Sequence, residues 1–225
     1  LRNGNTFINL CIICYWMVVS KDKFKVREGV FDSFTIKTLQ FLDSKGFFEL
    51  EELSPLFLGK ESNVFIGKGN NGHVAIKIYR LENCDFNKMY DYIKLDSRFK
   101  GVKRKKRDII VMWVQREFRN LMKARQKGVR VPTPLAIRNN VIIMDLVGAP
   151  ASKVKDDLPK NVKKFYLNII SQMKKLLSAN LVHADLSQFN ILNHNDLPVF
   201  IDFSQSTTKD SLRAREYLER DLKNV

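Results

Sequence analysis

Cysteine is scarce in this chain. Three residues, Cys11, Cys14 and Cys84, are too few and too unevenly spaced for a disulfide framework, which fits a reducing compartment. Cys11 and Cys14 stand at C-x-x-C spacing, but no second pair accompanies them and no βαβ pattern surrounds them, so metal or redox chemistry is not expected there. The apolar N-terminal stretch Phe7 to Val19, interrupted by Asn9, falls short of the roughly 20 residues that span a bilayer, so no membrane partner is expected. The chain opens on Leu1, and Met17 precedes the polar Ser20-Lys21-Asp22-Lys23. Residues 1–16 are therefore read as lying upstream of the working start, with a signal peptide as the alternative. Internal repeats are lacking, and acidic residues are outnumbered.

With 39 Lys and Arg against 24 Asp and Glu, the formal net charge is +15, a surface that attracts polyanions such as RNA, nucleotide or acidic protein. A hydrophobic fraction of 44% with 28% charged residues excludes a disordered or fibrous chain. At 225 residues there is enough chain for one domain or two tightly packed lobes.

The pattern predicts a helix over Phe31 to Leu42, started by Asp32 or Ser33 and ended at Gly46. Ser62 to Ile66 and His73 to Tyr79 read as paired strands around Gly69-Asn70-Asn71-Gly72. Ile110, Val114, Phe118, Leu121 and Met122 recur at helical spacing up to Gly128, on a helix that also carries Glu117. A second hairpin, Leu135 to Ile137 with Val141 to Leu146, turns at Asn139-Asn140. Gly148 to Leu158 reads as a linker, and Pro159 suits the first position of a helix running towards Ala179. Short apolar pieces at Ile191-Leu192 and Val199-Phe200-Ile201 flank the turn Asn195-Asp196, and a last helix is expected over about Asp210 to Asn224.

The chemistry concentrates in two segments, His183-Ala184-Asp185-Leu186-Ser187-Gln188-Phe189-Asn190 and Ile201-Asp202-Phe203-Ser204. Phosphoryl transfer needs a carboxylate to orient or deprotonate the acceptor hydroxyl and hard oxygen ligands to hold Mg²⁺ on nucleotide phosphates. Asp185, Asn190 and Asp202 have those side chains. Upstream, Val74-Ala75-Ile76-Lys77 is an apolar strand ending in a lysine, and Glu117 is the helical acid that could hold it. Taken singly, Lys77 and Glu117 could be a solvated pair, Asp185 and Asn190 turn residues, and Asp202 a strand cap. The ordered set is more specific than any member. His183 is read as structural, holding loop backbone, while His73 and His194 show no ligand geometry.

Beside this set, Gly59-Lys60-Glu61-Ser62-Asn63-Val64 resembles the signature of the RIO family of atypical protein kinases and ATPases, and the similarity runs from about Phe31 to Val225. Typical protein kinases carry G-x-G-x-x-G at this place, whereas that family has Gly-Lys-Glu and a small residue. Asp185-Leu186-Ser187 and Asp202-Phe203-Ser204-Gln205 are similar to the subfamily without a winged-helix domain, and Phe31 to Gly46 is similar to the N-terminal helix of its archaeal members.

The resemblance implies an α+β, small bilobal protein-kinase-like fold: a β-rich N-lobe, a truncated helical C-lobe and a short N-terminal helical extension. The corresponding boundaries are a leader over 1–20 and a kinase domain over 21–225, divided into extension 21–58, N-lobe and hinge 59–147, and C-lobe 148–225. It implies ATP with Mg²⁺, and Mn²⁺ as the alternative metal. Lys60, Glu61, Ser62, Val64, Ala75 and Ile201 would bind the nucleotide, with Ser62 and backbone amides contacting phosphate; Met144 would be the gatekeeper of a hinge whose Asp145 and Val147 backbone meets adenine. Lys77 and Asp185 would be catalytic, with Lys77 held by Glu117. Asn190 and Asp202 would bind metal, and Asp202 would also be a phosphate acceptor. Cys84 to Asp108 would be a family-specific flexible segment, and its run Lys103-Arg104-Lys105-Lys106-Arg107 either a solvated loop or a contact for ribosomal RNA.

Only 23 residues follow Asp202, with no Ala-Pro-Glu motif and so no ordinary activation loop, while relatives continue for a further helix beyond Arg220 to Asn224. In the family this goes with serine autophosphorylation and with ATP hydrolysis coupled to small-ribosomal-subunit maturation. Pre-small-subunit RNA and proteins are then the expected partners, and a cytoplasmic monomer the expected state. Two other readings stand: a nucleotide-sensing assembly factor with little kinase activity, and a small-molecule phosphotransferase of the aminoglycoside or choline type. The last shares the His-x-Asp-x-x-x-x-Asn loop but not the Gly59 signature.

Overall fold

A computed structural model describes residues 31–225 except 83, 95, 97 and 100–103. The leader 1–20, the Cys11/Cys14 pair, the stretch Phe7 to Val19 and Lys103 lie outside the described residues. Among the described residues no helix is long and apolar enough to cross a membrane.

The N-terminal half is a five-stranded antiparallel sheet in the order β1-β2-β3-β5-β4, formed by β1 (Ser54–Leu58), β2 (Ser62–Gly69), β3 (Gly72–Tyr79), β4 (Pro134–Arg138) and β5 (Val141–Asp145). The β2–β3 hairpin closes on Asn70-Asn71 and runs three residues further along β2 than apolar alternation indicates, because Gly67 and Gly69 carry no side chain to reveal it. Neither has room for one: a Cβ on Gly67 would lie 2.7 Å from Ile76, and one on Gly69 2.8 Å from the Phe47 carbonyl.

Strand alternation divides the core. Val74, Ile76 and Ile78 of β3 face one side with Phe65 and Ile143, where helix α1 (Ser33–Ser44) lays Leu39 and Leu42 against them. Asp32 starts α1 by accepting from the Phe34 and Thr35 amides, both at 3.0 Å. Ala75, Lys77 and Tyr79 face the opposite side, where Ala75 and Tyr79 pack with Ile142, Met144 and the helices α2 (Phe86–Lys94) and α3 (Lys106–Gln126).

Helix α2 lies within the segment Cys84 to Asp108, for which a flexible connection is expected. Phe86, Met89, Tyr90 and Ile93 recur at i, i+3, i+4 and i+7, and Met89 and Ile93 are buried. The basic run is interrupted in the same way, since Lys106 and Arg107 form the first turn of α3. The Gly148 to Leu158 linker is pinned rather than free: Lys153 bridges to Leu192, and the Val154 amide donates to the Ile191 carbonyl at 2.9 Å.

The C-terminal half packs α4 (Val162–Ser178) against the short hairpin β6 (Ile191–Asn193) and β7 (Pro198–Phe200), with α5 (Ala214–Asn224) closing the chain. Phe165, Ile169, Met173 and Leu176 of α4 meet Leu181, Leu186, Phe200 and Phe203, and Leu121 and Ala124 carry α3 into the same cluster. α4 begins three residues after Pro159, because Asn161 accepts from the Lys164 amide at 2.9 Å and sets the start. α5 begins four residues later than its amphipathic pattern suggests, after turns through Ser211.

Candidate active site

Period-2 alternation aims Lys77 at α3, and helical spacing brings Glu117 to meet it. Both are buried, and Lys77 Nζ lies 2.8 Å from Glu117 Oε1 and 3.0 Å from Asp202 Oδ1. Tyr79, two residues on along the same strand face, donates to Glu117 Oε2 at 2.5 Å and places its ring 5.0 Å from the Lys77 ammonium. Burial by itself favours a neutral amine, but Asp202 and Glu117 together hold the Lys77 pKa well above its ordinary value. Burial also pushes the Tyr79 phenol up, and the adjacent Glu117 adds to it.

Asp202 follows β7 and sits at φ 62°, in the left-handed region that is uncommon for L residues but that Asp tolerates. Its side chain remains 37% exposed. Burial works to raise this carboxyl, but Lys77 and the Ser204 hydroxyl, which donates to Oδ1 at 2.7 Å, bring it down to about 2. Lys77 and Ser204 both engage Oδ1, so Oδ2 remains for a cation.

The catalytic-loop candidates lie across from this cluster. Asn190 Nδ2 donates to the Asp185 carbonyl at 2.8 Å and to Asp185 Oδ2 at 3.2 Å, which commits its amide nitrogen and leaves its oxygen for other partners. Burial, and then the Asp202 charge, raise the Asp185 carboxyl above its ordinary value. Ala184 stands at φ 67° with its amide held by Asp221 Oδ2 at 2.8 Å, while Asp221 Oδ1 takes the Leu186 amide at 2.9 Å; Arg220 donates to the Ala184 carbonyl. Burial lifts the Asp221 carboxyl to about 6 despite those two donors. His183 is buried, with Nε2 3.0 Å from the Ile201 carbonyl, and burial drops its imidazole to about 4. This is the structural placement expected of it.

Between the two halves opens a cleft of about 430 Å³. Ser62, Val64, Ala75, Lys77, Glu117 and Met144 line it from the sheet side; Asp145, Val147, Asn190, Ile201 and Asp202 complete the predicted residues it gathers. Lys60 and Glu61 are not among its lining. They form the tip of the turn after β1, where Lys60 is exposed and the Glu61 carbonyl accepts from the Arg80 amide at 3.0 Å. Asp185 also stands outside the lining, at its edge beside Asn190. The Asp145 carboxylate is taken up by Thr133, whose hydroxyl donates to it at 2.7 Å. Gly59 permits the turn, since a Cβ there would lie 2.7 Å from the Ser62 carbonyl.

Several site residues escaped the sequence reading. Tyr79 was legible in principle, being on the Lys77 face one alternation further. Lys153, brought into the cleft by its bridge to Leu192, has its ammonium 4.5 Å from the Phe57 ring. Asp221 has no local signal.

The residues present suit a hard divalent cation: Asn190 and Asp202 line a cleft that also holds the Lys77 ammonium, and each keeps an oxygen, the Asn190 amide oxygen and Asp202 Oδ2, not committed to the contacts above. A family model for the RIO domain matches residues 63–225. The chain is 38% identical over 208 residues to the RIO-type serine/threonine-protein kinase Rio1 of Haloferax volcanii, covering 91% of this chain and 71% of that protein. Against the protein of the same name from Methanocaldococcus jannaschii it is 40% identical over 205 residues, covering 89% and 70%. Among solved structures, the Rio2 kinase from Chaetomium thermophilum superposes with a TM-score of 0.64 at 22% identity, over 83% of this chain and 58% of that one. A second structure of that kinase, an ADP/Mg²⁺-phosphoaspartate complex, gives 0.62 at 21% identity, over 83% and 57%.

Proposed function

The chain belongs to the RIO family of protein kinases, and on that premise we propose that it transfers the γ-phosphoryl group of ATP, with Mg²⁺, to serine hydroxyls including its own. The observation that carries this reading is the buried Lys77–Glu117 pair joined by the part-exposed Asp202 in a cleft that also presents Asn190. Lys77, kept charged by two carboxylates, neutralises phosphate oxygens, and Glu117 fixes its direction. Ser62 and the amides of the Gly59 turn approach the phosphates, and the Asp145 to Val147 backbone meets the adenine beyond Met144. Asn190 and Asp202 would hold the metal, which would supply charge neutralisation for the phosphoryl group. Asp185 orients the acceptor hydroxyl or takes its proton.

Asp202 is also proposed as a phosphate acceptor. Its carboxyl is held down at about 2 and Lys77 and Ser204 engage only its Oδ1, and a phosphoaspartate is present in the Chaetomium thermophilum Rio2 complex. The excess of basic residues supports a polyanionic partner, and we place the chain in small-ribosomal-subunit maturation, in the cytoplasm, on pre-subunit RNA and protein. The same charge favours a second reading, a nucleotide-sensing assembly factor whose chemistry is slow.

Purified protein with labelled ATP and Mg²⁺ tests the enzyme reading. Autophosphorylation and phosphate release are expected, both lost in Asp185→Ala; no turnover in the native chain, or equal turnover in the variant, would overturn it. Subunit cosedimentation that changes with an ATP analogue and weakens steeply with salt is expected for the ribosomal role, and none at low salt would remove it.

A further inference from the structure

Asp185 is supported from an unexpected direction. Its Oδ2 accepts from Gln205 Nε2 at 3.2 Å, and the other end of that amide, Oε1, accepts from the Tyr92 hydroxyl at 3.2 Å. Tyr92 belongs to α2, the helix inserted between the lysine strand and the glutamate helix. Its ring packs edge-on against Trp113 of α3 at 5.7 Å and stacks on Tyr217 of α5 at 6.1 Å, with the Arg116 guanidinium 5.3 Å from its centre. The ring is thereby held between α3 and α5, with its hydroxyl on Gln205.

The backbone around Gln205 is held from the same side. Arg116 donates to the Ser204 carbonyl at 2.7 Å, and Asn120 donates to the carbonyls of Phe203 and Ser206 at 3.2 and 2.9 Å. Asp96, just past α2, pairs with Arg116 at 3.0 Å and with Arg98 at 2.6 Å, and Arg98 donates to Asn120 at 3.0 Å. Both Arg116 and Asn120 are buried. Every residue from 203 to 206 is thus tied to α3 or α2.

We propose that Gln205 is the positioning residue for Asp185 and that α2, through Tyr92, positions Gln205, so that docking of α2 sets the rate of phosphoryl transfer. The proposal rests on the reading of Asp185 as orienter or base. An amide suits this place because it must donate to a carboxylate at one end and accept from a phenol at the other. Glutamate would set a second carboxylate against Asp185, and asparagine is one methylene too short to reach both partners. With Gln205 and Asn190 both donating to Oδ2, Oδ1 of Asp185 is left for the acceptor hydroxyl.

The test is steady-state ATP turnover by the full chain, with melting temperature measured on the same samples. Gln205→Ala and Gln205→Glu are expected to lower kcat by roughly 10- to 100-fold, the scale of a misplaced catalytic group, while KM for ATP and Tm stay as in the native chain. Tyr92→Phe is expected to lower kcat less. In the Gln205→Ala background it should add nothing, because Tyr92 acts only through Gln205. Native kcat in Gln205→Ala, kcat falling only in step with Tm, or full multiplication of the two effects would each overturn the proposal. If Gln205→Ala does not fold, Tyr92→Phe decides alone: reduced kcat at unchanged Tm supports the proposal and native kcat overturns it. Asp185→Ala as active as the native chain would instead sink the functional reading, and this inference with it.

Discussion

The two walls of the cleft hold their charged groups by opposite means. On the sheet side, Lys77, Tyr79 and Glu117 satisfy one another across β3 and α3, two adjacent and deeply packed elements. On the helical side, Asp185 and Ala184 lean on residues far along the chain: Asp221 at the C-terminal helix, Gln205 beyond β7, and through it Tyr92 on α2. The first arrangement is a closed cluster that low dielectric strengthens, whereas the second is a loop held open from outside. Perturbing the first should cost stability, and perturbing the second should cost rate.

The largest effect tests that contrast directly. Glu117→Ala removes the more deeply buried of the two carboxylates on a buried ammonium, leaving only the part-exposed Asp202, and takes the acceptor from the Tyr79 hydroxyl. A loss of about 3–5 kcal/mol is expected by chemical denaturation. Lys77→Met should cost clearly less stability, since burial already pushes the Glu117 carboxyl up and, once the ammonium is gone, the carboxyl can take a proton and stay neutral. Equal losses would mean that the cluster does not act as a pair.

Asp221→Ala strips the acceptor from two buried amides, those of Ala184 and Leu186, and about 1–3 kcal/mol is expected. Turnover should fall by more than nucleotide affinity, because the loop that moves carries Asp185. If both parameters stayed at native values, the loop would be self-supporting and the contrast would fail.

Gly59→Ala probes the sheet side without touching its charges. A Cβ 2.7 Å from the Ser62 carbonyl forces the turn open, so nucleotide binding should weaken roughly tenfold, about 1.4 kcal/mol, with Tm nearly unchanged. Binding equal to the native chain, by fluorescence titration, would remove that turn from the nucleotide site.

The smallest effect concerns pH. His183 titrates at about 4 in the fold against an ordinary 6.5, so the unfolded chain takes up the proton first and stability rises with pH across that window. Asp221 titrates at about 6 against 3.8, so the fold keeps its proton to higher pH and stability falls across that window. The two slopes oppose each other. Denaturation midpoints of His183→Gln should fall with pH over this range and those of Asp221→Asn should rise, with the native chain flatter than either.

How far the sequence carried depends on distance along the chain. Both hairpins, α1 and α3 were legible because their signals, alternation with turn residues or helical spacing with a cap, lie within each element. Lys77 facing Glu117 was legible for the same reason, one period on a strand and one on a helix. The α2 helix was hidden by charge: Asn87, Lys88, Asp91 and Lys94 separate its apolar residues. The starts at Asn161 and Ala214 depended on caps and turns that local pattern ranks poorly.

By itself, the sequence determined both hairpins, α1, α3 and which residues bear charge, because propensity and periodicity act within a few residues. Only the tertiary structure decided that Lys60 and Glu61 stand outside the cleft, that Lys153 enters it, and that Asp221, Gln205 and Tyr92 support Asp185. These are contacts across 20 to 37 residues or, through Tyr92, 113. They exist because packing of α2, α3 and α5 brings donors to acceptors that no local pattern marks.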